Sequence, residues 1–298
     1  MAITKVGVIG SGTMGVGVAQ VAAQAGLKVV CVKATPGPVT KVADGLAKTL
    51  AKSVERGKMD PAMRDQILAN IHFTNELVDV VGCELIIESI IEDLGTKIEL
   101  FQKLEELVPP TTLLTTNTST LSVTAMMAAC KVRNRVAGLH FFNPAPTMQL
   151  VEIIHGFETS DDAIAALNAF CLQVNKEPVI VQDTTGFIVN RLLTPYMLNA
   201  IRLLETGTGS IEAIDKAMML GAAHPMGPFA LADYIGLDVV RAMARNCYED
   251  ARTPDLATPH TLERLVQLGY LGRKTGKGFY DYSKKPLAAN PDLKRPVG

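Results

Sequence analysis

The sequence predicts an α/β domain on a mostly parallel sheet, followed by an all-helical domain, and three observations carry that prediction. Short apolar runs alternate with helical stretches up to about residue 185. A glycine-rich turn joins the first such run to the first helical stretch. Beyond Gly186 the strand-like runs cease and helical periodicity takes over. Strands alternating with helices favour a parallel sheet with helices on its faces.

The elements follow in order. Lys5-Val6-Gly7-Val8-Ile9 reads as a buried strand, Thr13 to Ala25 as a helix with Gly26 beyond its end, and Lys28 to Val32 as a second strand. From Val39 to Val54 an apolar stripe (Val39, Val42, Ala43, Leu46, Leu50) opposes Lys41, Asp44, Lys48 and Lys52, which predicts an amphipathic helix. Gly57 ends it, and Asp60-Pro61 opens another, with Asp as N-cap and Pro in the first turn. These helices form an insertion over about 39–69. Further strands are expected at Ile71–Thr74, Leu85–Glu88, Leu113–Thr116, Val136–His140, Leu150–Ile154 and Pro178–Val181. The first domain is placed at 1–185 and the second at 186–298, with helices at Phe187–Glu205, Ile211–Leu220, Pro228–Asp250 and Pro259–Leu268. A poorly ordered tail is expected from about Ser283.

Composition narrows the function. The chain has 298 residues, 48% hydrophobic and 20% charged, with a formal net charge of -1. That balance lacks the basic footprint of a nucleic-acid binder, and the absence of tryptophan argues against base-stacking platforms. The five cysteines (Cys31, Cys83, Cys130, Cys171, Cys247) are scattered and read as reduced thiols in a cytoplasmic protein. No ligand spacing suggests a metal site. The first strand starts too early for a signal peptide, and no apolar run has the length of a membrane span.

Gly10-Ser11-Gly12-Thr13-Met14-Gly15 is a Gly-x-Gly-x-x-Gly run that follows a strand and opens a helix. In that setting it is a dinucleotide-binding fingerprint of the Rossmann type. Gly10 permits the turn, Gly12 admits the pyrophosphate, and Gly15 lets helix and strand pack closely. Thr13 and Met14 sit on the helix N-terminus that faces the phosphates. An acidic residue commonly follows about 20 positions later to bond the adenine ribose. Lys33, with Thr35 nearby, stands there instead. A cation at this point suits the 2′-phosphate of NADP better than the free hydroxyls of NAD. An exposed lysine at a strand end is the alternative, and the residues leave both open.

Ligands in such folds bind beyond the carboxyl ends of the strands. Asn117-Thr118-Ser119 follows one strand, and His140-Phe141-Phe142-Asn143-Pro144 closes another. Glu152 lies inside the apolar run Leu150–Ile154, where a carboxylate needs a partner. Oxidising an alcohol requires a base for the hydroxyl proton, and histidine titrates near neutrality. His140 is therefore read as the base, Glu152 as the group that orients it, and Ser119 as a hydrogen-bond partner of the reacting oxygen. A lone histidine at a strand end is often structural, and that alternative also stays open. His72, His155, His224 and His260 are read as structural or surface residues.

These residues resemble the (S)-3-hydroxyacyl-CoA dehydrogenases, in particular the bacterial 3-hydroxybutyryl-CoA dehydrogenases. The likeness runs over nearly the whole chain. It rests on the glycine fingerprint, Ile87-Glu88-Ser89-Ile90-Ile91-Glu92, Asn117-Thr118-Ser119, Gly138-Leu-His-Phe-Phe-Asn-Pro144, Gly186-Phe-Ile-Val-Asn-Arg191, Pro225-Met-Gly-Pro228 and Gly276-Lys-Gly-Phe-Tyr280. It implies a nicotinamide-dependent enzyme that interconverts 3-hydroxyacyl-CoA and 3-oxoacyl-CoA. By position it carries the family's catalytic pair onto His140 and Glu152, its polarising serine onto Ser119, and its helical-domain asparagine onto Asn190 at the domain seam. It places Glu92, Lys97 and Asn117 near the nicotinamide half of the cofactor and Asn143 at the substrate. It identifies the helix before Gly57 as the segment that covers CoA, with Lys52 and Arg56 facing its phosphates; a solvated helix face is the competing reading for Lys48. It implies a homodimer through the second domain, though those apolar helices equally suit burial against one another. Lys33 departs from the Asp usual in NAD-using members. Two other functions compete: a non-catalytic relative that kept the fold, and a dehydrogenase for a free 3-hydroxy acid. The pathway, butanoate metabolism or fatty-acid oxidation, is left open.

Overall fold

In the computed structural model, which describes residues 3–293, the chain divides into two compact units between Phe187 and Ile188. The first is built on an eight-stranded sheet. Its strands are β1 (Lys5–Ile9), β2 (Lys28–Val32), β3 (Ile71–Thr74), β4 (Leu85–Glu88), β5 (Leu113–Thr116), β6 (Val136–Phe141), β7 (Leu150–His155) and β8 (Glu177–Gln182). Their order is β3-β2-β1-β4-β5-β6-β7-β8. The first six run parallel, β7 is antiparallel to β6, and β8 is parallel to β7. The strand order reverses between β1 and β4, which opens a crevice at their carboxyl ends.

Alternation along the central strands sends side chains to both faces of the sheet. Leu85 and Ile87 of β4 join Val6 and Val8 of β1 in one core, beneath α1 (Thr13–Gln24) and α6 (Asp161–Gln173). Ile86 joins Val30, Leu114 and Val136 in the other, beneath α4 (Leu94–Leu107) and α5 (Val123–Ala128). Strands buried on both faces read as continuous apolar runs, which is why the sequence shows them so plainly.

The insertion forms two helices, α2 (Thr40–Glu55) and α3 (Pro61–Asn70). Leu46 and Leu50 are the buried residues of α2, and Lys41, Lys48 and Lys52 lie outside. The Asp60 carboxylate accepts a hydrogen bond from the Ala62 amide, so Asp60 does cap α3.

The second unit holds α7 (Val189–Glu205), α8 (Ile211–Gly221), α9 (Pro228–Ile235), α10 (Leu237–Ala251) and α11 (His260–Gln267) around their own core, which includes Leu198, Phe229, Val240 and Phe279. Two expectations need correction. Pro228–Asp250 is two helices, because Gly236 takes a φ of 107° and breaks the run. The chain beyond Ser283 is not loose over its described part. Strand β10 (Ala288–Ala289) pairs with β9 (Tyr280–Asp281), and the buried Asn290 amide donates to the Gly278 carbonyl at 2.7 Å. The rest of that expected tail, 294–298, lies outside the described residues. No helix among the described residues is long and apolar enough to cross a membrane.

Candidate active site

The glycine-rich turn runs from the end of β1 into α1. A Cβ on Gly10, whose φ is 120°, would run into the Ser89 carbonyl, and one on Gly15 into the Gly10 carbonyl. A Cβ on Gly12 would meet nothing within 4 Å. Two of the glycines thus fasten the turn and the third leaves its outer side open. No side chain caps the N-terminus of α1, and no acidic residue occupies its first turn. Backbone donors and the positive end of the helix dipole face that opening, as pyrophosphate binding requires.

Lys33 follows β2 and folds over its own loop. Its ammonium donates to the Thr35 carbonyl at 2.5 Å, the Thr35 hydroxyl at 2.9 Å and the Pro36 carbonyl at 2.6 Å. An ammonium has three donors, so local acceptors already engage all of them.

The ends of β4 and β5 carry a connected polar network. Glu88, fully buried, accepts from the Ile90 amide (2.6 Å), the Lys97 ammonium (2.6 Å) and the Thr116 hydroxyl (2.7 Å). Lys97 also lies 3.3 Å from Glu92. Glu92 accepts from the Thr118 hydroxyl at 2.5 Å and the Ser119 amide at 3.0 Å. Burial works against the Glu92 charge, but Lys97 and these hydrogen bonds prevail and hold its carboxyl below the usual range. Asn117 receives its own bond from β6, since the Phe141 amide donates to its Oδ1 at 2.8 Å, while its Nδ2 donates to Ser89. Lys97 is 1% exposed, so it acts from beneath Glu92 and does not front an opening.

His140 and Glu152 are direct cross-strand partners in the β6–β7 ladder, with Nδ1 to Oε2 at 2.8 Å. Both are buried. Residues opposite one another on antiparallel strands share a face with Cβ atoms about 4.5–5.5 Å apart, so the register itself makes the contact. A carboxylate only accepts, so in the neutral ring the proton sits on Nδ1 and Nε2 carries the lone pair. The rings of Phe142 and Phe187 lie 4.5 and 5.6 Å from the imidazole, centre to centre.

A cavity of about 500 Å³ lies against the fingerprint. Gly12 and Thr13, Lys41 and Thr49 of α2, and Asn143 with Pro146 line it. Asn143 thus borders the same cavity as the glycine-rich turn. Lys52 and Arg56 do not line it. Both are exposed at the end of α2 and form no ion pair among the described residues. A larger cavity of about 810 Å³ sits in the second unit, bordered by Glu205, Glu212, His260 and Arg264, and holds none of the strand-end residues. Asn190 stands on the first turn of α7.

Sequence reasoning missed Glu88 as the hub of the network, together with Thr116, Thr118, Lys41 and Thr49. A charged residue ending the run Leu85–Glu88 was the available signal for the first. His72 does have a carboxylate neighbour, Asp79 at 3.5 Å, but in an exposed pair. Among the described residues no group of three or more His, Cys, Asp or Glu side chains is placed to hold a metal ion.

Residues 5–184 match the family model described as 3-hydroxyacyl-CoA dehydrogenase, NAD binding domain, and 186–282 match its C-terminal domain. The chain belongs to the 3-hydroxyacyl-CoA dehydrogenase family. It is 42% identical to a 3-hydroxybutyryl-CoA dehydrogenase of Clostridioides difficile, over 94% of this chain and 100% of that one. It is 42% identical to the human mitochondrial hydroxyacyl-coenzyme A dehydrogenase, over 94% of this chain and 91% of that one. The crystal structure of (S)-3-hydroxybutyryl-CoA dehydrogenase from Ralstonia eutropha superposes with a TM-score of 0.90 at 38% identity, covering 95% of this chain and 100% of that chain. The first unit is thus a dinucleotide-binding domain of this family, and a nicotinamide cofactor is its ligand.

Proposed function

We propose that this protein interconverts (S)-3-hydroxybutyryl-CoA and acetoacetyl-CoA, with His140 as the acid/base group. The observation that carries the reading is the buried His140–Glu152 pair, 2.8 Å long, at the carboxyl end of a sheet whose fingerprint faces the same crevice. In oxidation, Nε2 of His140 takes the proton of the 3-hydroxyl, and Glu152 stabilises the imidazolium through Nδ1. In reduction the same Nε2 returns the proton to the 3-oxo oxygen. A bound nicotinamide would provide the hydride chemistry, as acceptor in oxidation and donor in reduction. Ser119 bonds the reacting oxygen. Glu92, held by Lys97, and Asn117 border the nicotinamide half, and Asn143 contacts the substrate; Asn190, on the first turn of α7, matches the family's helical-domain asparagine.

The thioester extends into the 500 Å³ cavity, with Lys52 and Arg56 reaching the CoA phosphates from the end of α2. No such partners are needed by a free hydroxy acid. With Lys33 in place of a carboxylate, NADP(H) is preferred over NAD(H); the three acceptors around its ammonium keep the preference modest. The second unit serves as a homodimer interface, supported by the exposed Leu192, Leu220 and Tyr234, and the protein acts in the cytoplasm. The test is oxidation of reduced cofactor, followed by absorbance, when acetoacetyl-CoA is added. A non-catalytic relative would bind without turnover.

A further inference from the structure

The loop between β6 and β7 walls one side of the cavity with Asn143, Pro144, Ala145 and Pro146. It is held from within. The Pro144 carbonyl accepts from the amides of Thr147 and Met148. The Ala145 and Met148 carbonyls accept from the Lys176 ammonium, at 2.8 and 2.7 Å.

Lys176 reaches this place through the end of α6. Asn175 takes the left-handed conformation (φ 56°), which asparagine tolerates at a helix end, and the Lys176 amide turns back to the Cys171 carbonyl. The next amide, of Glu177, donates to the Gln149 carbonyl and leads into the β7–β8 ladder. The side chain is thereby committed beneath the loop, 4% exposed, where burial draws its pKa below the ordinary lysine range. An ammonium in such a place is costly unless hydrogen bonds hold it, and the two that do are both to this loop. On the far side the loop meets α1: a Cβ placed on Gly17 would lie 3.2 Å from that of Ala145.

We propose that Lys176 is a positioning residue for the thioester, pinning the loop against α1 and so setting the width of the cavity. This rests on the cavity's assignment to acyl-CoA above. A role in stability alone would affect folding and leave affinity untouched.

The test compares wild type with Lys176→Met, which keeps the length of the stem and removes the charge. Acetoacetyl-CoA is titrated into each by calorimetry, turnover is measured, and hydrogen exchange is followed at the Thr147 and Met148 amides. Kd and KM for the thioester should rise about tenfold in Lys176→Met, with kcat within about twofold. Exchange at the two amides should quicken. Lys176→Arg, which retains cation and donors, should recover most of the affinity. Neither constant depends on the folded fraction of the preparation, and Lys176→Gln substitutes if the methionine variant does not fold. An unchanged Kd for acetoacetyl-CoA in Lys176→Met, with or without faster amide exchange, overturns the proposal. A wild type that binds acetoacetyl-CoA without turnover overturns the catalytic reading instead, and binding and exchange still decide the role of Lys176.

Discussion

His140 and Glu152 face each other across the single antiparallel junction of the main sheet, and that reversal is what joins them. Were β7 parallel to β6, the ladder would not set the two side chains opposite one another with the same spacing. The pair predicts a graded response. Glu152→Gln keeps the shape but removes the charge that steadies the imidazolium, so kcat should fall by about 10²-fold or more while the cofactor Kd stays near wild type. Steady-state rates with cofactor binding measured by fluorescence check this. An unchanged kcat would detach Glu152 from the chemistry.

Arg56 and Lys52 are exposed and form no ion pair among the described residues, so whatever they contribute to CoA binding is screened by salt. Arg56→Ala should raise KM for acetoacetyl-CoA several-fold at low ionic strength. The effect should shrink in high salt and vanish for a thioester that lacks the nucleotide. Equal changes for both thioesters would point to a disturbed fold.

Lys33→Asp should lower kcat/KM for NADPH and spare or improve that for NADH. A carboxylate repels the 2′-phosphate and accepts from the ribose hydroxyls. An exposed charge pair contributes only about 0–1 kcal/mol, and this ammonium must leave local acceptors to make one. The wild-type preference should therefore lie within about tenfold. Faster turnover of NADH than NADPH by the wild type, at equal concentration, would reverse the assignment.

The second unit should show an unusual dependence of stability on pH. Burial pushes the Asp233 carboxyl up to about 6; amide bonds from Phe279 and Tyr280 and the Tyr282 hydroxyl oppose that, while Asp215 adds to it. The folded state thus holds this proton more tightly than the unfolded state. Its stabilising contribution is complete below the ordinary value of 3.8 and is lost as pH rises through about 6. Carboxyls held low, such as Glu105 and Asp238, act in the opposite sense at more acid pH. The melting temperature should rise by a few degrees from pH 7 to about 5, and the rise should flatten in Asp233→Asn. Calorimetry across that range checks it; the same profile in both proteins would remove Asp233 as the cause.

Much of this architecture was legible in the sequence because the central sheet strands are buried on both faces. Leu85–Glu88 and Leu113–Thr116 stand out as apolar runs with the very ends seen in the structure. The fingerprint was readable because its glycines answer to local geometry. Contacts set by tertiary pairing were not. Glu88 and Lys97 are nine residues apart and meet only once α4 folds back on β4. Lys176 meets a loop about thirty residues earlier in the chain, through the β7–β8 register. Gly236 interrupts an amphipathic pattern that otherwise continues, so Pro228–Asp250 reads as one helix. The hydrogen bonds from the Lys33 ammonium to its own loop carbonyls leave no pattern in sequence, so the sequence leaves its two readings open.

The most direct test of the account is single-turnover reduction of acetoacetyl-CoA by wild type and His140→Ala, each saturated with reduced cofactor. The hydride-transfer step should be slower by roughly 10²–10⁴-fold in His140→Ala, with cofactor and thioester still bound. A rate within a few-fold of wild type would contradict the assignment of His140 as the proton donor and acceptor.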